Sequence, residues 1–250
     1  MATDRDPWRA PTPVWATLLG ALILGLGLLG AGFLVGRGFE RGRAADRYVT
    51  VKGLAESFVT ADLAVWPLRI TGTGDDLGRV QDRLDADLAT VTGFLTEQGI
   101  EPDAIQPQRV EVTDLLAQPY RPEGVGDNRF ILAQTVIVRT EEVARVARLN
   151  QQTGELVKRG IVLADTGGPT YLFTRLNEIK PEMLAEATRN ARVSAEQFAA
   201  DSASAIADIR RASQGVFEIL PRDPAPGMLE QNQIDKKVRV VSTIEYRLRD

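Results

Sequence analysis

Residues 10–36 carry no charged side chain, and residues 14–35 within them are almost wholly apolar. Twenty-two residues at helical rise span about 33 Å, slightly more than the ~30 Å hydrocarbon core of a bilayer. A helix pairs its own backbone groups, so such a segment sits in lipid at little cost. A core helix would keep a polar stripe, and this stretch has none. It also exceeds the roughly 7–15 apolar residues of a signal peptide. The best small-residue cleavage pattern, Gly42-Arg43-Ala44, lies well past its end. Trp8 and Trp15 flank its start, where amphipathic rings settle. The chain therefore divides into a tail (residues 1–13), a transmembrane anchor (14–36), a linker (37–46) and one domain (47–250). Gly32 and Gly36 in the anchor have the GxxxG spacing that lets two membrane helices approach closely, and they are the candidate self-association face.

Beyond the anchor the period changes. Residues 47–59 and 62–71 alternate apolar and polar positions and read as paired strands, with a break near residues 55–57. Pro67 falls inside the second and predicts an edge position or a bulge. Residues 75–98 place Leu77, Val80, Leu84, Leu88, Val91 and Leu95 at steps of three and four, an amphipathic helix closed by Gly99. Strands follow at 105–116 and 130–139, joined by a Pro/Gly-rich tip at 117–129. A second helix at 141–159 closes at Gly160, and short strands at 161–164 and 170–173 flank Asp165-Thr-Gly-Gly-Pro169. A long helix at 181–209 carries a mostly small stripe of Leu184, Ala187, Ala191, Ala195, Phe198, Ser202, Ile206 and Ile209. Strands at 213–220 and 236–248 finish the chain. The order ββαββαβαββ predicts an α+β domain, a mixed sheet with helices packed on one side.

Composition narrows the chemistry. There is no cysteine and no histidine. That removes disulfides, thiolate nucleophiles, sulfur metal sites, the usual near-neutral acid–base group and the commonest metal ligand. Of 30 Lys+Arg and 34 Asp+Glu, five and four precede Arg47, which leaves the domain at net −5. Such a balance offers no field for nucleic acid, and aromatics are too sparse for stacking platforms.

Gly72-Thr-Gly-Asp-Asp-Leu-Gly78 sits between a strand and a helix, but its spacing is one residue longer than a dinucleotide fingerprint. Asp75 and Asp76 would meet a phosphate with negative charge, so the segment reads as a turn with a helix cap. Asp82, Asp85 and Asp87 read as a solvated helix face, as do Glu182 and Glu186. None of the five lysines of the domain forms an S-x-x-K motif. No catalytic, cofactor-binding or metal-ligating residue is assigned, and the chain is expected not to be an enzyme. Three residues are candidate interface groups. Tyr120 and Arg121 lie on the proline-stiffened tip, where such side chains anchor protein interfaces. Trp66 is read as core or sheet-edge packing, with a subunit contact as the alternative.

Val51-Lys-Gly-Leu-Ala-Glu56 followed by Ala61-Asp-Leu-Ala64 resembles the opening of the SIMPL domain family, a strand with a G-x-G/A-E element and then a strand beginning near P-D-x-A. Here Ala55 stands at the second glycine and Ala61 replaces the proline. The likeness continues through Pro119-Tyr120, residues 130–138, Gly160, the Ala187–Ala191–Ala195 helix and residues 238–246. The glycine often found after that helix is absent around residues 201–204. The resemblance implies a bacterial envelope protein of unresolved biochemical activity, with homo-oligomeric relatives, roles in oxidative or envelope stress, and no established catalytic residues. It also implies a single-pass inner-membrane protein with a periplasmic domain, against a mild excess of arginines after the anchor. The expected partners are the lipid bilayer, further copies of the chain and an envelope protein. The alternative is a binding module for a small or lipidic envelope ligand.

Overall fold

The computed structural model describes residues 14–44, 47–118, 128–164 and 167–249. Helix α1 runs Val14–Ala44, eight residues beyond the expected end of the anchor, so most of the expected linker continues the helix. Its apolar stretch Leu18–Gly38 has a mean hydropathy of 2.4 and none of it is buried.

The remaining elements are β1 (Tyr48–Thr60), β2 (Leu63–Gly74), α2 (Leu77–Glu97), β3 (Ile105–Asp114), β4 (Phe130–Thr140), α3 (Val143–Gln151) and α4 (Gly154–Lys158). They continue with β5 (Leu163–Ala164), β6 (Thr170–Leu172), α5 (Leu176–Asp201), β7 (Ala205–Gln214), β8 (Glu218–Pro221) and β9 (Asp235–Arg249). The α+β class stands as expected. The strands form two antiparallel sheets among the described residues, one ordered β1-β9-β7 with β8 also on β9, the other β3-β4-β2-β5 with β6 also on β2.

Two strand expectations are corrected. β1 and β2 do not pair: they leave the two-residue turn Ala61-Asp62 into different sheets. The Ala61 amide donates to the Ile234 carbonyl at 2.8 Å and the Asp62 amide to Leu172 at 2.9 Å, so each turn donor is already taken by another strand or loop. β1 also shows no break at residues 55–57. Burial alternates through Val51, Gly53 and Ala55, and small inward residues cost the strand its hydrophobic signal without interrupting it. Pro67 lies in β2, which has neighbours on both sides. β5 pairs with residues 69–70 and β6 with residues 63–65, so the strand on that side is interrupted at the proline.

Contacts divide the chain into two compact units. Unit two, residues 53–190 and 214–242, holds the larger core, in which Trp66 and Ile70 of β2 and Val136 and Val138 of β4 meet Leu84, Val91, Phe94 and Leu95 of α2. A second cluster there joins Ala55, Met183, Ala187, Val238 and Val240. Unit one comprises residues 1–52, 191–213 and 243–250, and its cluster joins Val51, Ala191, Ala195, Ile244 and Tyr246. Ala187, Ala191 and Ala195 of the α5 stripe bury as read, and small side chains let a helix lie close to the strands beneath it. Phe198 and Ser202, read on the same stripe, are exposed, and Ala199 is buried instead.

The end of α5 departs from expectation. The helix stops at Asp201, and Ile206 and Ile209 belong to β7. Ala203 takes φ 51°, while the Ser204 amide donates to Ala199 at 2.8 Å and the Ala203 amide to Ala200 at 3.1 Å. That is a Schellman closure with alanine in the left-handed position. Gly99 and Gly160, at φ 83° and 89°, close α2 and α4 by the same pair of bonds, as expected of glycine. The second helix of the sequence reading splits into α3 and α4, and the strand expected at 213–220 falls across the end of β7 and β8.

Candidate functional site

Asp62, in the turn between β1 and β2, organises a broad open cleft. Its Oδ1 accepts from the Thr174 amide at 2.9 Å and from the Thr174 hydroxyl at 3.0 Å. Oδ2 accepts from the Thr174 and Arg175 amides and from Arg175 Nε, each at 3.1 Å. The side chain is 11% exposed. Burial by itself would raise the carboxyl pKa, but the bonds from Thr174 and Arg175 outweigh it and hold the group below the ordinary value of 3.8. An ionised carboxylate with both oxygens occupied is a latch, not a base. The surrounding cleft, about 740 Å³, is lined by Thr60, Asp62, Arg139, Glu141, Thr174 and Arg175. Ala61 and Leu63 also line it, so its walls are part polar and part apolar, and it is open to solvent rather than enclosed.

Lys236 is the residue that sequence reasoning missed. Its side chain is wholly buried, and Nζ donates to the Glu230 carbonyl at 2.8 Å and to the Glu230 carboxylate. A buried ammonium without such partners would be strongly destabilising, so the pair fixes the loop before β9 to the strand itself. The signal was present in the alternation of β9: residue 236 shares its face with Val238, Val240, Ser242, Ile244 and Tyr246, all buried.

The predicted site residues scatter. Trp66 is 1% exposed in the core of unit two and has no surface to offer a second subunit. Tyr120 and Arg121 lie outside the described residues. The base of their loop is described: the Leu115 amide donates to Arg129 at 2.9 Å, and Arg129 Nε and Nη2 bridge the Asp114 carboxylate at 3.1 and 2.8 Å. That bond to Arg129 is the main reason the Asp114 carboxyl sits below its usual range. Gly32 and Gly36 lie on α1, and a Cβ added at either would meet no atom within 4 Å. Asp76 caps α2 as expected, accepting from the Arg79 amide at 3.0 Å. Gly72 and Gly74 belong to β2, where Val80 of α2 approaches within 3.3 and 2.7 Å of the Cβ positions. Close helix packing accounts for these glycines. Asp82 and Asp85 are exposed and Asp87 half-buried on α2. In Asp165-Thr-Gly-Gly-Pro169, Gly167 and Gly168 both take left-handed φ, 77° and 78°, as a tight turn requires, and the first two residues lie outside the described set.

Comparison with known proteins gives one family. The SIMPL family model, described as a protein of unknown function (DUF541), matches residues 49–245. No curated protein matches the chain.

Proposed function

The chain belongs to the SIMPL family, and from that premise we propose that it is a non-enzymatic cell-envelope protein anchored in the bacterial inner membrane by α1. In this reading the domain lies in the periplasm, self-associates or contacts envelope proteins, and serves envelope or oxidative-stress protection. The observation that carries it is the unburied apolar stretch Leu18–Gly38. Apolar surface of that length, fully outside the fold, is favourable in hydrocarbon and costly in water. Self-association is supported by Gly32 and Gly36, which leave the α1 backbone open to a neighbouring helix. For the ligand-binding alternative, the cleft around Asp62 is open and lacks the enclosed apolar lining a lipidic ligand would need.

Two measurements test the proposal. A carboxyl-terminal reporter active only outside the cytoplasm should give signal; a cytoplasmic signal would remove the periplasmic assignment. Cross-linking of the full chain in membranes should trap multiples of the monomer, and Gly32→Leu with Gly36→Leu should weaken that product. A monomer at every protein density would count against self-association.

A further inference from the structure

The domain's charge is unevenly distributed between its two units. Residues 53–190 and 214–242 carry 18 basic against 25 acidic side chains. Residues 47–52, 191–213 and 243–250 carry seven basic against five acidic. The basic unit is the one that contains α1.

Within that unit the start of β1, the strand that follows the anchor, meets the end of β9 and the start of β7. The Leu248 amide donates to the Arg47 carbonyl at 3.0 Å, which sets the end of β9 against the start of β1. Arg47 Nη2 donates to Ser204 Oγ at 3.1 Å, which brings in the connection from α5 to β7. The Arg210 guanidinium lies 4.2 Å from the centre of the Tyr48 ring, and Arg247 pairs with Asp208 at 2.8 Å. The Arg247–Asp208 pair puts Arg210 and Arg249 on the same face of their strands; both are exposed, and Tyr48 is 46% exposed.

Chain length limits how far this cluster can stray. Three peptide steps separate Ala44 from Arg47, at most about 11 Å. Six helical residues from Gly38 to Ala44 add about 9 Å. Arg47, where the cluster begins, therefore stays within about 20 Å of the end of the apolar stretch. The headgroup layer occupies about 5–8 Å of that distance, and the Debye length at physiological salt covers another 8 Å or so.

We propose that the strand-end surface around Tyr48, Arg210 and Arg249 docks on the anionic phospholipid headgroups of the bilayer that holds α1. The inference rests on the anchor reading and adds a second, charge-dependent membrane contact to it. Basic residues held near an anionic surface each favour the docked state about fivefold, and an exposed tyrosine suits the interface. The acidic balance of the other unit gives it no comparable attraction.

The chain contains no cysteine, so Ala212→Cys on exposed β7 places a single thiol for a donor dye. The full chain is placed in nanodiscs of phosphatidylcholine alone, or with phosphatidylglycerol added, and energy transfer to headgroup-borne acceptors is read. Transfer should rise with phosphatidylglycerol and fall in high salt. Arg210→Gln and Arg249→Gln together should lower the docked-to-undocked ratio about thirtyfold, while lysine at the same positions should retain docking. Equal transfer in both lipids, from chain retained in the discs, overturns the inference alone. Chain recovered outside the discs with either lipid overturns the anchor reading and the inference with it.

Discussion

Asp62 holds Thr174 by its amide and its hydroxyl at once, across 112 residues of chain. The pair joins the β1–β2 turn to the segment that leads into α5. The Ala61-Asp-Leu-Ala64 motif is thus a folding feature: aspartate is short enough to sit in the turn and has acceptors for five donor contacts.

Acid should unlatch this corner. The folded-state pKa of Asp62 lies below its ordinary value of 3.8, so its contribution is complete above that pH and is lost as pH falls through the folded value. Thermal melts of the full chain in detergent should show this loss below pH 3.8. Asp62→Asn should cost about 2 kcal/mol at neutral pH and flatten that part of the profile. A variant with the parent's acid profile would contradict the latch.

Ala203→Gly should stabilise the chain by about 1 kcal/mol, because glycine enters the left-handed region without the Cβ penalty. Ala203→Val should destabilise it. Urea midpoints of the two variants against the parent check the sign directly.

Trp66→Ala should cost about 3–5 kcal/mol, as for other large buried side chains cut to alanine. Trp66→Phe should cost less and leave the oligomer mass unchanged. A mass shift in Trp66→Phe with parental stability would restore a subunit contact.

Gly215→Ala should open the edge of the first sheet. The Gly215 amide donates to the Val241 carbonyl at 2.8 Å, and a Cβ at Gly215 would fall 2.5 Å from that oxygen. Backbone cannot yield as a side-chain tip can, so we expect a loss of about 2 kcal/mol and faster amide exchange along β7 and β8. Parental exchange rates there would refute the close approach.

Much of the chain was legible from local pattern. The uncharged run marked α1, steps of three and four marked α2, and Gly99 and Gly160 marked helix ends. Leu77 shows the limit: it fits the helical stripe but is exposed, while Phe94, outside that stripe, is buried. The candidate groups fared less evenly. Trp66 went to the core, and Lys236 was passed over because a charged residue at a strand start looks solvated until the strand's other face is counted.

The sequence by itself determined the apolar helix, the α+β class and the kind of element at most positions, because these follow from periodicities read within a few turns or residues. Tertiary structure alone decided which strands share a sheet, that β1 and β2 part at Asp62, that α5 ends on an alanine, and that Lys236 is enclosed with Glu230. Each of those outcomes depends on partners supplied by another part of the fold, and a local hydrophobic pattern does not say which partner a backbone amide or a buried charge will find.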